Sequence, residues 1–245
     1  MDIETFLAHP PMLHADSTGK PVSWRAGDKL LRYIHGAPVE GDTTLETGAG
    51  LSTLVFVIKR CYHTVIAPDQ AQADRILQWC QDNQLPTDRL EFRLESSEKA
   101  LPALETTPLD FVLIDGAHGF PLPFIDWFYA GRRLRVGGVL AVDDLQIWTG
   151  RILLEFLSTE QQWSIDHRVP FEFFAARRLA EGPVGEWLDQ PYVLHRSIMP
   201  NSTSRGRRYV GYGATGYHLG QAAIGLIREG KWSELRSRMS SMRAS

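Results

Sequence analysis

The chain has 245 residues, 43% of them hydrophobic and 22% charged, with a formal net charge of −3. That length suits one α/β domain with additions, and the charge gives no reason to expect a nucleic-acid or membrane-surface partner. Two cysteines, Cys61 and Cys80, exclude a disulfide scaffold and a cysteine-rich zinc site. With no leader-like N-terminus and no apolar stretch near about 18 residues, the expected compartment is the cytoplasm.

Residues 1–42 read as an N-terminal extension with a Pro-rich start and a helix over 27–34. From residue 43 strand-like and helix-like blocks alternate. A short strand, 43–46, ends in the turn Thr47-Gly48-Ala49-Gly50, and Ser52 is placed to cap a helix running toward Arg60. Next come a strand over 63–66, a Pro-Asp turn, and a helix over 71–84 with Ile76, Leu77 and Cys80 at helical spacing. Residues 90–94 alternate apolar and charged, the pattern of a strand, and 98–104 form a short helix.

The run 110–115 is continuously apolar between two aspartates, as a central parallel strand buried on both faces should be. A helix over 121–134, a strand over 139–142, a helix over 151–157 and a terminal strand pair, 163–169 with 171–178, complete the series. Such alternation predicts a Rossmann-like, mostly parallel, doubly wound sheet with a terminal antiparallel strand. The domain is expected over 43–199. Residues 200–245 should form a basic loop and a helical tail, with eight Lys/Arg after residue 200 against Glu229 and Glu234. That tail could dock onto the body or a sister subunit, making a homo-oligomer.

Open α/β sheets bind ligands at the carboxyl ends of their strands. The turn after residue 46 sits at such an end, where glycines allow close backbone approach and a helix offers free N–H groups. A dinucleotide site would want a third glycine where Thr53 stands. Here an acid, Glu46, precedes Gly48-Ala49-Gly50 instead, which suits an amine or a ribose better than a pyrophosphate. Two strand ends carry acids: Asp115, followed by His118, and the pair Asp143-Asp144 after Gly137-Gly138. Carboxylates brought together repel, and a hard divalent ion with oxygen ligands relieves this.

This series, over roughly residues 43–150, resembles the class I S-adenosylmethionine-dependent methyltransferases, and within them the catechol and caffeoyl-CoA O-methyltransferase group with its bacterial relatives. The resemblance implies S-adenosylmethionine as cofactor, with Glu46, Gly48, Ala49, Gly50, Ser52, Asp69, Ser97 and Asp115 around it. It also implies Mg²⁺ on Asp115, Asp143 and Asp144, with His118 as general base beside Asp115 for a small-molecule acceptor. Imidazole, with an unperturbed pKa of about 6.5, can accept a hydroxyl proton near neutrality.

The usual ribose-binding acid would fall at Ala67, so Asp69 either reaches back to the ribose or only forms a turn. Trp24, Arg25, Phe120, Trp148, Arg207, Arg208 and the segment 209–217 are candidates for the acceptor pocket. A nucleotide-binding oxidoreductase, a metal-independent N-methyltransferase and a non-catalytic S-adenosylmethionine-binding module stay open as alternatives.

Overall fold

The computed structural model describes residues 1–16, 18–22, 25–104, 108–182 and 184–197. The chain divides into two units, Met1–Gly182 and Pro183–Ser245. The first opens with α1 (Ile3–Ala8), whose cap Asp2 accepts the Thr5 N–H at 3.0 Å. Two short antiparallel strands follow, β1 (His14–Ala15) and β2 (Pro21–Val22), and then α2 (Asp28–Gly36). The alternating body runs β3 (Thr43–Thr47), α3 (Leu51–Ile58), β4 (Tyr62–Ile66), α4 (Gln70–Asp82), β5 (Leu90–Arg93) and α5 (Ser97–Ala103). It continues through β6 (Leu109–Ile114), α6 (Leu122–Ala130), β7 (Leu134–Val142), α7 (Trp148–Leu157), β8 (Trp163–Val169) and β9 (Phe173–Arg178). In the second unit the described residues hold α8 (Pro191–Arg196), where the Arg196 guanidinium lies 3.7 Å from the Tyr192 ring centre.

Seven strands form one sheet in the order β5-β4-β3-β6-β7-β9-β8. Strands β5 through β7 are parallel, and β9 runs antiparallel to both β7 and β8. The Rossmann-like sheet expected from the alternation is therefore present, with its antiparallel pair at one edge. Period two in the strands sorts side chains between faces. Phe111, Leu113, Val139, Ala141, Phe173 and Ala175 join one apolar cluster with Phe6, Leu31, Phe56 and Ile76 from α1 to α4. Phe111 is its hub, with ring centres 5.6 Å from Phe56 and 6.4 Å from Tyr33.

The chain winds outward from β3 to β5 and then returns to the other flank of β3 as β6. This puts the switch point between β3 and β6, where such sheets bind ligands. Register does the rest: Thr47 pairs with Ile66 and Ile114, and Ile114 pairs with Val142. Gly48, Ala67, Asp115 and Asp143, each one residue further on, consequently share one edge of the sheet.

Several boundaries differ from expectation. The start of the extension holds α1, capped by Asp2 and ending at Ala8 ahead of Pro10 and Pro11, which cannot continue a helix. Ser52 does not cap α3: the cap position is Gly50, and Thr53 takes the capping role by accepting the Gly50 N–H at 3.0 Å. α6 stops at Ala130 and β7 begins at Leu134, passing through Gly137 at φ +87°.

Gly48 tolerates exchange poorly. Its φ is +91°, and a Cβ added there would lie 2.2 Å from the Asp115 carbonyl oxygen. Gly48→Ala should cost about 1–3 kcal/mol through strain and that clash. At about 2–4 °C per kcal/mol for a unit of this size, the loss is readable by thermal denaturation.

Candidate active site

The turn after β3 is held from below. Glu46 is fully buried, accepts the Thr53 hydroxyl, and lies 3.2 Å from His63 Nε2. His63 in turn shares a 2.8 Å hydrogen bond with the Thr44 hydroxyl and stacks on Phe56 at 4.2 Å. Glu46 thus ties the strand to the start of α3. The backbones of residues 48 and 116 touch above it: a Cβ on Gly116 would sit 3.2 Å from the Gly48 nitrogen.

Two cavities open at this edge. One, of about 430 Å³, is lined by Thr47, Gly48, Ala67, Asp69, Ser97 and Leu122 among others. The other, of about 450 Å³, is lined by Arg25, Gly50, Ser52, His118, Asp143 and Asp144 among others. His14, Ala49, Asp115 and Gly116 belong to both walls. The cavities therefore meet at those four residues.

In the second cavity three carboxyl groups crowd together, and their surroundings set them apart. Asp144 has φ +60°, a left-handed turn that Asp tolerates better than most residues. His118 Nε2 reaches its Oδ2 at 2.8 Å, and the Gln146 amide reaches its Oδ1. The His118 hydrogen bond chiefly, with help from the imidazole charge and from Gln146, holds the Asp144 carboxyl below its usual pKa despite partial burial. Asp143 is buried, which raises its pKa to about 6 against the help of its backbone hydrogen bond. Protein packed around the Asp115 carboxyl, with Asp143, Glu46 and Asp144 nearby, drives its pKa well above the ordinary carboxylate value. Neighbouring acids of this kind titrate as a set.

One donor atom each from Asp115, His118 and Asp144 lies within 4.8 Å of the others, a spacing that could hold a metal ion. Asp143, expected as a ligand, is not part of this trio, although it lines the same cavity. Gly48, Ala49, Asp69, Ser97 and Asp115 line the first cavity, while Gly50 and Ser52 line the second. Glu46 lines neither: it lies beneath the turn. Asp69 caps α4 by accepting the Gln72 N–H at 3.1 Å, so the acid after β4 is spent partly on the helix start.

Phe120 and Trp148 are 72% and 54% exposed with ring centres 6.5 Å apart, and the Thr149 hydroxyl beside Trp148 donates to the His118 carbonyl at 2.7 Å. Arg25 lines the second cavity and pairs with Asp28 at 3.0 Å. Trp24, Arg207, Arg208, the segment 209–217 and the basic tail lie outside the described residues.

Sequence reasoning missed His14 and Gln72. His14 sits in a segment with no periodic signal, and Gln72 looks like any polar helix residue. Gln72 donates its side-chain amide to Ala49 O at 2.7 Å and bonds His14 Nδ1 at 2.9 Å. Nothing short of the fold could have brought residues 14, 49 and 72 together.

Residues 45–145 match a family described as a methyltransferase domain. No curated protein matches the chain. Among solved structures, cofactor-bound Rv0187 from MTB is 20% identical, with a TM-score of 0.52 over 64% of this chain and 83% of that one. The O-methyltransferase TomG from Streptomyces achromogenes, involved in tomaymycin synthesis and solved in complex with SAM, is 15% identical, with a TM-score of 0.54 over 73% of this chain and 86% of that one. At these identities the likeness is one of fold.

A further acid stands behind the first cavity. Asp126 on α6 is fully buried, and neither carboxyl oxygen has a hydrogen bond of normal geometry. Burial outweighs the help of the nearby Ser97 and Thr47 hydroxyls and raises its pKa. An acid with a raised folded pKa penalises the fold when ionised, and the penalty fades as pH falls through that pKa. Asp126→Asn should therefore raise the melting temperature at pH 7.5, and the gain should shrink toward pH 4. A gap that does not change with pH would contradict this.

Proposed function

We propose that the chain is a class I S-adenosylmethionine-dependent methyltransferase, as the methyltransferase-domain match over residues 45–145 supports, and that it methylates a hydroxyl of a small-molecule acceptor held in the cavity of His118 and Asp144. The observation that carries this reading is the shared wall of the two cavities. A donor in one and an acceptor in the other would meet only at His14, Ala49, Asp115 and Gly116.

The first cavity fits the cofactor. Gly48 presents bare backbone on this wall, a Cβ there being barred by the Asp115 carbonyl, and Asp69 and Ser97 offer polar groups further along the wall. When bound, S-adenosylmethionine supplies an electrophilic methyl group on a sulfonium. Gly50 and Ser52 open α3 toward the second cavity, where backbone N–H groups favour negative charge.

His118 is the proposed general base. Asp144, held ionised, can only accept, so His118 gives it the Nε2–H and keeps Nδ1 as the basic atom. That atom takes the acceptor's hydroxyl proton as the oxygen attacks, while Asp144 steadies the imidazolium that forms. Phe120 and Trp148 offer exposed rings against which a flat acceptor could stack.

A metal-assisted reading draws on the same trio. Asp115, His118 and Asp144 would hold a divalent ion, whose charge would lower the pKa of an acceptor hydroxyl nearby. An imidazole in the set suits Mn²⁺ or Zn²⁺ better than Mg²⁺. The two readings give His118 different work, and a chelator separates them: as free base it acts in the presence of EDTA, as ligand it does not.

The test is transfer of labelled methyl from S-adenosylmethionine to a panel of small phenols, alcohols and amines, with EDTA or with added Mg²⁺, Mn²⁺ or Zn²⁺. Methylation of hydroxyl compounds is expected, and His118→Ala should lower kcat about 10²–10⁴-fold with little change in S-adenosylhomocysteine binding. Methylation of amines alone, or full activity in His118→Ala, would overturn the proposal.

A further inference from the structure

The two cavities are walled in part by a residue from far outside the methyltransferase-matching segment. Leu13 and His14 lie across the turn after β3, pinned from α4: Arg75 Nε donates to Leu13 O at 2.7 Å, and the Gln72 amide reaches His14 Nδ1 at 2.9 Å. A Cβ on Gly50 would come within 3.0 Å of His14 Nε2, so that nitrogen lies close over the start of α3.

Hydrogen-bond logic fixes the state of the ring. The Gln72 side-chain nitrogen bonds the Ala49 carbonyl, which can only accept, so the amide orientation is determined and its second hydrogen points at His14 Nδ1. Nδ1 must then be the unprotonated nitrogen. Burial, with the Arg75 guanidinium adding to it and Asp69 opposing, holds the His14 pKa below its usual value and keeps the ring neutral. Its one proton therefore sits on Nε2, as a donor facing the meeting point of the cavities.

The lining of the second cavity offers both signs of partner. Asp144, held ionised by His118, attracts an ammonium group, whereas the opening of α3 at Gly50 and Ser52 and the His14 Nε2–H attract an oxyanion. A zwitterionic amino acid end finds a partner there for each of its charges.

We propose that His14 is a positioning residue for the cofactor, its Nε2–H donating to the carboxylate of the methionine part, with Gln72 holding the ring in the tautomer that can donate. The inference rests on the methyltransferase reading and adds to it a specificity for the amino acid end. It makes the N-terminal segment part of the binding site, and gives Gln72 a role that its side chain alone would not suggest.

The test combines imidazole ¹⁵N shifts with calorimetric titration of two probes: S-adenosylhomocysteine, which carries the carboxylate, and methylthioadenosine, which lacks the amino acid end. In the free protein His14 should show a pyridine-type Nδ1 and a pyrrole-type Nε2, and Gln72→Glu should abolish that pattern. His14→Ala should weaken S-adenosylhomocysteine roughly tenfold or more, as loss of a hydrogen bond to a charged group does. It should leave methylthioadenosine unchanged. His14→Gln, which keeps an N–H near the Nε2 position, should recover most of the loss.

Equal binding of S-adenosylhomocysteine by wild type and His14→Ala, or equal loss of both probes, would overturn the inference while leaving the methyltransferase reading intact. Failure of the wild type to bind S-adenosylhomocysteine would instead remove the reading itself.

Discussion

The contact on which the rest depends is between two pieces of backbone. Where β3 and β6 end side by side, residue 48 lies so close to the Asp115 carbonyl that only glycine fits, at a left-handed φ that only glycine adopts freely. This approach closes the sheet edge between the two cavities and leaves them joined over a narrow wall. Glu46 and Thr53 keep the turn in place from beneath, in a buried hydrogen bond that links strand to helix. The parallel register then delivers Asp115 and Asp143 to the same edge without any further device.

Bringing three acids to one cavity is electrostatically costly, and the structure resolves it by unequal treatment. Asp144 has His118 and Gln146 as partners and stays ionised. Asp143 is buried beside Asp115, and the pair retains protons to higher pH than isolated carboxylates would. The result is one charged acid facing an imidazole, backed by two whose charge is suppressed. Such a gradient suits a base held by its anion.

Much of the fold could be read from pattern. Continuous apolar runs gave β6 and β7 away as central strands, and Asp115, His118, Asp143 and Asp144 could be placed in one crevice because strand ends in a parallel sheet align. The inner workings were less legible. Glu46 looked like a ligand because acids at strand ends commonly face the crevice, yet it points into the protein and holds a helix start. Asp69 could be read as a ribose contact or as a turn former; it caps α4 and also lines the first cavity. His14, Gln72 and Asp126 carried no signal at all, since each acquires its significance from a neighbour 20 or more residues away. Short-range patterns encode elements; long-range contacts assign side chains their work.

The proposed meeting place of donor and acceptor is the wall at Ala49, Asp115 and Gly116. A crystal structure of the chain with S-adenosylhomocysteine should show the adenosine in the cavity of Asp69 and Ser97, and the sulfur at the wall, facing His118 across Asp115. Adenosine seated among Asp143, Asp144 and His118, or a sulfur turned away from that wall, would contradict it.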